Sequence, residues 1–321
     1  MKTMKWLVRR EFWEHKGMFF WAPVVVSIAI ALLVAFSSFK IVNNSVHDVE
    51  INGEQITQKL NALPVEHKAE IANALSAGYL GVAMPLLIMM SVVLFFYLLG
   101  AMYDERRDRS ILFWKSLPVS DQSTVLSKIA AALVAVPLIY TALAIMLAVF
   151  VLLVLGTVSA LKGVNLFPLL LGNVDVYLAP LQLVGLLPVY MLWALPTVGW
   201  LMMVSAWAKS KVFLWAVGVP LIVVIAIKWM EAAYGVSLNS DWFIQNVILR
   251  GMGSLIPGIW MAFERIGPDQ LIQPGMKTFN STSVFLASWS ILLKPSIWVG
   301  AVAGGAMIFA SMRLRRFRDE G

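Results

Sequence analysis

The chain has 321 residues, of which 60% are hydrophobic and 13% charged, with no cysteine and a net charge of +7. An ordinary soluble domain carries roughly 25% charged residues, so a soluble fold is excluded, and the missing cysteines exclude disulfides, thiolate metal sites and cysteine nucleophiles. The mean hydropathy of +0.80 and apolar runs near or above the ~18–20 residues that cross a bilayer predict an all-α polytopic membrane protein.

Residues 1–17 carry Trp6, Leu7, Phe12 and Trp13 among lysines and arginines, the pattern of a helix lying in the membrane interface. Their mixed charge is unlike a signal peptide, and the apolar run that follows has no evident cleavage site, so the first span is expected to persist. Six spans are predicted at 18–39, 79–102, 124–156, 181–208, 212–234 and 296–313. Their polarity does not alternate, which disfavours barrel strands.

Between the first two spans, 40–78 is polar, with five acids against three lysines. Within it, 54–76 reads as an external amphipathic helix broken at Pro64. The second connection, 103–123, opens with six consecutive charges at 104–109, read as a mixed-charge, solvated segment leaving the membrane. An apolar ILFW follows and stops at Pro118. Ser110 is an expected N-cap for a short cytosolic helix over 111–116, and Ser120 with Asp121 for the third span. The region 235–295 reads as external or re-entrant short helices broken near Gly251, Gly253 and Pro268. Its stretch 284–293 is too short to cross by itself, and whether it is re-entrant or joins the last span is left open.

Basic residues set the orientation. Lys2, Lys5, Arg9, Arg10 and Lys16 precede the first span, and Arg106, Arg107, Arg109, Lys115 and Lys128 surround the second connection. Lys209 and Lys211 sit in the fourth turn, and Arg313, Arg315, Arg316 and Arg318 near the C-terminus. These are sixteen of the 25 lysines and arginines, so the positive-inside rule predicts both termini and the 103–123 loop in the cytoplasm. The same placement accounts for the net charge without nucleic acid.

The spans offer little chemistry. Lys228 and Glu231 share a helix face as either a snorkelling pair or a substrate contact. Midplane carboxylates of an ion-coupled transporter, an HExxH motif and a GxxxxGK[ST] phosphate loop are all missing from the sequence. Gly304 and Gly305 are expected at a close helix contact. Trp193, Trp200 and Trp207 recur every seven residues near Pro188 and Pro196. They serve either packing and interface anchoring or, with Tyr97, Tyr140, Tyr190 and Gln182, the wall of an apolar cavity.

The start WLVRREFWEHK, the loop YDERRDRSILFWKSLPVS leading to Lys128, and the six-span layout resemble the permease subunits of ABC-2-type (type V) ABC exporters. The sequence-level likeness is confined to the first ~130 residues, and the long 40–78 segment departs from family members with small external parts. The resemblance implies a connecting helix at the N-terminus and a coupling helix after the second span that docks on a separate ABC ATPase. It also implies a bacterial-type inner membrane location and pairing with a second copy or a related permease. The chain would be no enzyme and hold no cofactor of its own, with ATP and Mg bound by the partner subunit. Glu105, Arg106, Arg107 and Arg109 would anchor the loop to its neighbours or to acidic ATPase residues. Ile111, Phe113, Trp114, Leu117 and Pro118 would form the docking element. The uncharged spans suit an apolar or amphipathic cargo. A non-transporting sensor, immunity or assembly protein, a secondary transporter and a membrane enzyme are the alternatives.

Overall fold

The computed structural model describes residues 2–44, 64, 67, 78–110, 119–161, 165–235, 239–271 and 281–317. Among these residues the regular structure is entirely helical. Six helices are long and apolar enough to cross a membrane: Gly17–Ser38, Gly78–Arg107, Asp121–Leu161, Val174–Trp207, Leu214–Tyr234 and Pro295–Phe317. The chain is an all-α polytopic membrane protein, with each helix overlapping one predicted span. Most of the expected external segment 40–78, including the helix over 54–76, lies outside the described residues.

The spans are apolar all round, so their position is read from burial. The most apolar window of the second span is 50% buried, against 11% in the first and 6% in the fifth. The second span is therefore interior, while the first and fifth present large side chains such as Leu33, Phe36, Ile222 and Ile225 outward, as lipid-facing helices do. The fourth span is broken at Leu186 into Val174–Gly185 and Leu187–Trp207. Pro188 sits in the first turn of the second piece, where its missing N–H is harmless.

Leu187–Trp207 runs against the last span at a close approach. A side chain on Gly199 would strike the backbone of Gly304, and one on Gly304 would strike the carbonyl of Leu195 and the nitrogen of Pro196. Pro196 removes a backbone donor here. Gly305 faces open space, so of the expected pair only Gly304 makes the contact.

The region after the fifth span, expected to be external or re-entrant, is folded into the bundle. Ser91, midway along the second span, and Tyr190 of the fourth both donate to the Leu255 carbonyl, at 2.8 and 3.1 Å. Thr197 accepts from the Ser254 backbone N–H at 3.1 Å. Irregular backbone at membrane depth needs such partners, because lipid supplies none. Ser281–Ser290 is a separate short helix tied back by the Trp260 indole N–H donating to Ser288 (3.0 Å). A tight turn at Ile291–Leu293 then divides it from the last span. The stretch 284–293 is thus neither a seventh crossing nor an extension of the sixth.

Lys228 lies at the far end of the fifth span with Nζ 3.2 Å from Glu231, 2.9 Å from Ser240 and 2.8 Å from Asp241. The pair closes the link into the re-entrant region. Replacing Gly304 with Val should destabilise the protein by about 2–3 kcal/mol through overpacking against backbone, whereas Gly305→Ala should be neutral; thermal unfolding of both variants in detergent micelles checks the contrast.

Candidate functional site

Five chain segments meet at the end of the bundle where the 103–123 loop emerges. The amphipathic helix Lys2–Glu14 places Leu7, Glu11 and His15 on one face by its four-residue spacing. Leu7 and Glu11 are buried, while Trp6 and Trp13 point outward. The second span continues past Gly100 into the helical turn Tyr103–Arg107, which carries Glu105 and Arg106 inward. The third span starts at Asp121, capped by the Ser120 hydroxyl accepting from the Ser123 N–H at 3.2 Å, and brings in Lys128. The last span ends with Arg315 turned inside.

These side chains form one ion-paired junction. Lys128 is 2% exposed; its Nζ lies 3.2 Å from Glu11 and 3.0 Å from Glu105. Arg10 adds a 2.5 Å contact to Glu11, and the Tyr97 hydroxyl donates to the same carboxylate at 3.0 Å. Arg315 reaches both sides of the loop: Nη1 is 2.5 Å from Glu105, which precedes it, and Nε is 3.2 Å from Asp121, which follows it. The loop is therefore closed at its base by a guanidinium from another span.

Arg106 extends the assembly through backbone carbonyls. Its guanidinium donates to the carbonyls of Ser205 (2.5 Å), Ala206 and Ala208 (2.9 Å) at the C-terminus of the fourth span, where unpaired carbonyls and the helix dipole favour a cation. Ser205 returns the connection, its hydroxyl accepting from the backbone N–H groups of Met102 (3.0 Å) and Tyr103 (3.1 Å).

The segment 104–109, expected to be solvated, is therefore split. Glu105 and Arg106 are buried, whereas Arg107 and Arg109 are exposed. The helical turn forces that division, because neighbours on a helix point about 100° apart. Ser110 is helical after the break at Asp108 and Arg109, and its hydroxyl donates back to the Glu105 carbonyl at 3.3 Å; the rest of the expected helix over 111–116 lies outside the described residues. Ile111, Phe113, Trp114, Leu117 and Pro118 lie outside the described residues.

The six aromatics proposed for a cavity are dispersed, Trp207 lying half-exposed and edge-on against Trp215 with centroids 4.8 Å apart. Tyr97 belongs to the junction, packed edge-on against His15 and Phe19 with centroids 4.9 Å away in each case. Tyr140 is buried and donates to the Met18 carbonyl at 3.2 Å. Tyr190 borders an apolar cavity of about 120 Å³ with Met90, Leu187 and Trp260. Trp200 borders a different one of about 310 Å³, and Trp193 is fully enclosed. Gln182 bonds Thr282 at 2.8 Å.

Glu11, Glu14 and His15 bring ligand-type atoms within 4.8 Å of one another. Glu11 already faces two cations, so the group is a poor seat for a metal. Comparison of the chain with protein families, characterised proteins and solved structures yields no match.

Burial acts to raise the Glu11 carboxyl pKa, but Lys128 and then Arg10 outweigh it and hold the group below its ordinary value of 4.5. A carboxyl so depressed contributes stability in full above its unfolded pKa and loses it as pH falls through the folded one. Thermal stability should therefore drop on acidification from about pH 5 to 3, with a flatter profile and a lower neutral-pH midpoint in Glu11→Gln; unfolding midpoints measured across that range for both proteins check the sign, and parallel profiles would contradict it.

Proposed function

We propose that this chain is the transmembrane permease subunit of an ATP-driven exporter of the ABC-2 type, carrying an apolar or amphipathic cargo from the cytoplasm or inner leaflet. The observation that carries the reading is the closed base of the 103–123 loop. Arg315 joins Glu105 to Asp121 across it, and Glu105 is tied through Lys128 to Glu11 of the N-terminal helix. A short element held in this way cannot tilt independently of the spans on either side. A push on it from a soluble partner is delivered to the second, third and last spans, and through Arg106 to the fourth.

The orientation follows from the basic residues. The end that holds the junction also carries both terminal segments and most of the lysines and arginines, and the positive-inside rule assigns it to the cytoplasm of a bacterial-type inner membrane. Energy then comes from a separate ABC ATPase that binds ATP and Mg. The exposed Arg109, and Arg107 by exchanging its local pair with Asp108, would meet acidic groups on that partner, while Ile111, Phe113, Trp114 and Leu117 supply apolar contact. The sparsely buried first and fifth spans leave area for lipid and for a second permease, either the same chain or a related one.

Trp114→Ala and Leu117→Asp should each abolish co-purification with the co-expressed ATPase and its stimulation in lipid, with membrane insertion unchanged. Full coupled ATPase activity in both variants would refute the docking role.

A further inference from the structure

The turn between the fourth and fifth spans forms a cleft at the same end of the bundle as the junction. The fourth span stops at Trp207, and Ala208 takes up extended backbone with ψ 133°. The Leu214 N–H then bonds the Lys211 carbonyl at 2.9 Å as the fifth span begins. Trp207, Ala208, Lys209, Ser210 and Trp215 border a cavity of about 290 Å³. Unlike the two apolar cavities, this one has a lysine in its own wall. It opens at the surface, because every bordering residue except Ala208 is exposed.

The cleft is held in shape by the bundle behind it. Trp207 and Trp215 meet edge-on with centroids 4.8 Å apart. The Trp200 indole N–H donates to the Ala216 carbonyl at 3.0 Å, which fixes the two helices at this spacing. Ala208, the buried member of the lining, has its carbonyl bonded by Arg106 at 2.9 Å. The same guanidinium caps the last carbonyls of the fourth span, neutralising the negative helix end that would otherwise repel an anion.

The charges around the cleft are of one sign. Lys209 and Lys211 are exposed, and neither ammonium group has a partner among the described residues. The sequence holds no acid between Asp175 and Glu231, which lie toward the far ends of the two spans. Lys211 has φ 48°, a left-handed conformation that glycine enters freely and a lysine does not. Strain of this kind recurs at ligand clamps, and here it keeps a cation in a turn that glycine would relax.

The surroundings point to a lipid as the source of the counter-ion. Indole rings at the ends of spans sit at headgroup depth, and Trp207 and Trp215 are each 41% exposed there. Phe213 and Leu214, at the start of the fifth span, are 49% and 58% exposed. An anion in the cleft therefore has apolar surface directly beside it, along which an acyl chain can lie. Basic pockets between spans take anionic lipid headgroups for this reason.

We infer that this cleft binds the phosphate headgroup of an anionic phospholipid. Lys209 and Ser210 bind the phosphate, Lys211 adds charge, and Trp207 and Trp215 flank the glycerol backbone. The acyl chains follow the exposed start of the fifth span. Because Ala208 belongs to both, the occupied site abuts the Arg106 clamp at the base of the loop. The assignment rests on the cleft and its charges and is independent of the export reading.

The test uses the full-length protein in nonionic detergent micelles with a phosphatidylglycerol analogue that carries a diazirine near the top of one acyl chain. Cross-links are expected on the peptide covering 207–215. Phosphatidylglycerol should compete for this labelling at least about tenfold better than phosphatidylcholine. Lys209→Gln and Lys211→Gln should each weaken labelling about fivefold, the effect of one lysine near an anionic surface, and the double variant about twenty-fivefold. Arg316→Gln, which removes an exposed cation from the same end of the bundle, should leave it unchanged. Equal competition by the two lipids, undiminished labelling of the double variant, or an Arg316→Gln effect as large as that of Lys209→Gln would overturn the assignment. Soluble glycerol phosphate or a glutamate-rich peptide competing as well as phosphatidylglycerol would also overturn it, giving the cleft to a free phosphate or to a protein partner.

Discussion

The architecture depends on a charge-balanced junction made where the hydrophobic spans end. Glu11, Glu105 and Asp121 are neutralised by Arg10, Lys128 and Arg315, each from a different part of the chain than its main partner except Arg10. Taking such charges out of water costs several kcal/mol per ion, and their attraction offsets that only with good geometry. The junction is therefore weak as a source of net stability and strong as a constraint. Removing one member leaves a buried charge short of a partner, a loss of up to about 3–5 kcal/mol, so the arrangement that pairs all six is favoured. This fixes which ends of which helices are neighbours, something uniformly apolar spans do not specify, because lipid and helix surfaces are equally apolar.

Two consequences follow for the rest of the bundle. Arg106, seated on the last carbonyls of the fourth span, extends the junction to the helix that packs most closely on the last span through Gly199 and Gly304. Farther from the junction those same two helices hold Trp193 and Gly300, between which the buried Arg250 lies. A rigid path of packed helices thus runs from the loop to the re-entrant region. The flexible alternatives are few along it: the backbone contact at Gly304 has no side chain to re-pack, and the carbonyl of Leu255 is held by two hydroxyls from different spans.

Much of the fold was legible. Span count and approximate limits follow from hydropathy, because lipid demands long uninterrupted apolar helices. The junction was legible only in part. Glu105 and Arg106 stood out within a charge run, but treating 104–109 as solvated overlooked that the buried stripe of the second span, Leu94, Leu98, Met102, reaches Glu105 at helical spacing. Arg315 was counted only for its charge, although Gly304, Ile308, Ser311 and Arg315 recur at four, three and four residues and define one inward face. Lys128 falls inside a predicted span, yet the charge pattern assigns it to the loop. Glu11 lies four residues after the buried Leu7. In each case extending the apolar face by one turn would have found the charge. Depth of the 240–293 region is legible only as two readings, external or re-entrant, since its short helices and glycines suit both; tertiary hydrogen bonds with Ser91, Tyr190 and Thr197 place it inside. Arg250, buried there, is the residue that the external reading hides.

The central claim is that Glu105 and Arg315 act as one unit closing the loop. A double-mutant cycle with Glu105→Gln, Arg315→Gln and the combined variant, read as unfolding free energy in mixed micelles at neutral pH, tests it most directly. The account predicts that the two single losses together exceed the loss in the double variant by at least about 1 kcal/mol, the coupling expected of residues in one ion-paired network. Strict additivity would show that the two side chains do not depend on each other and would contradict the account.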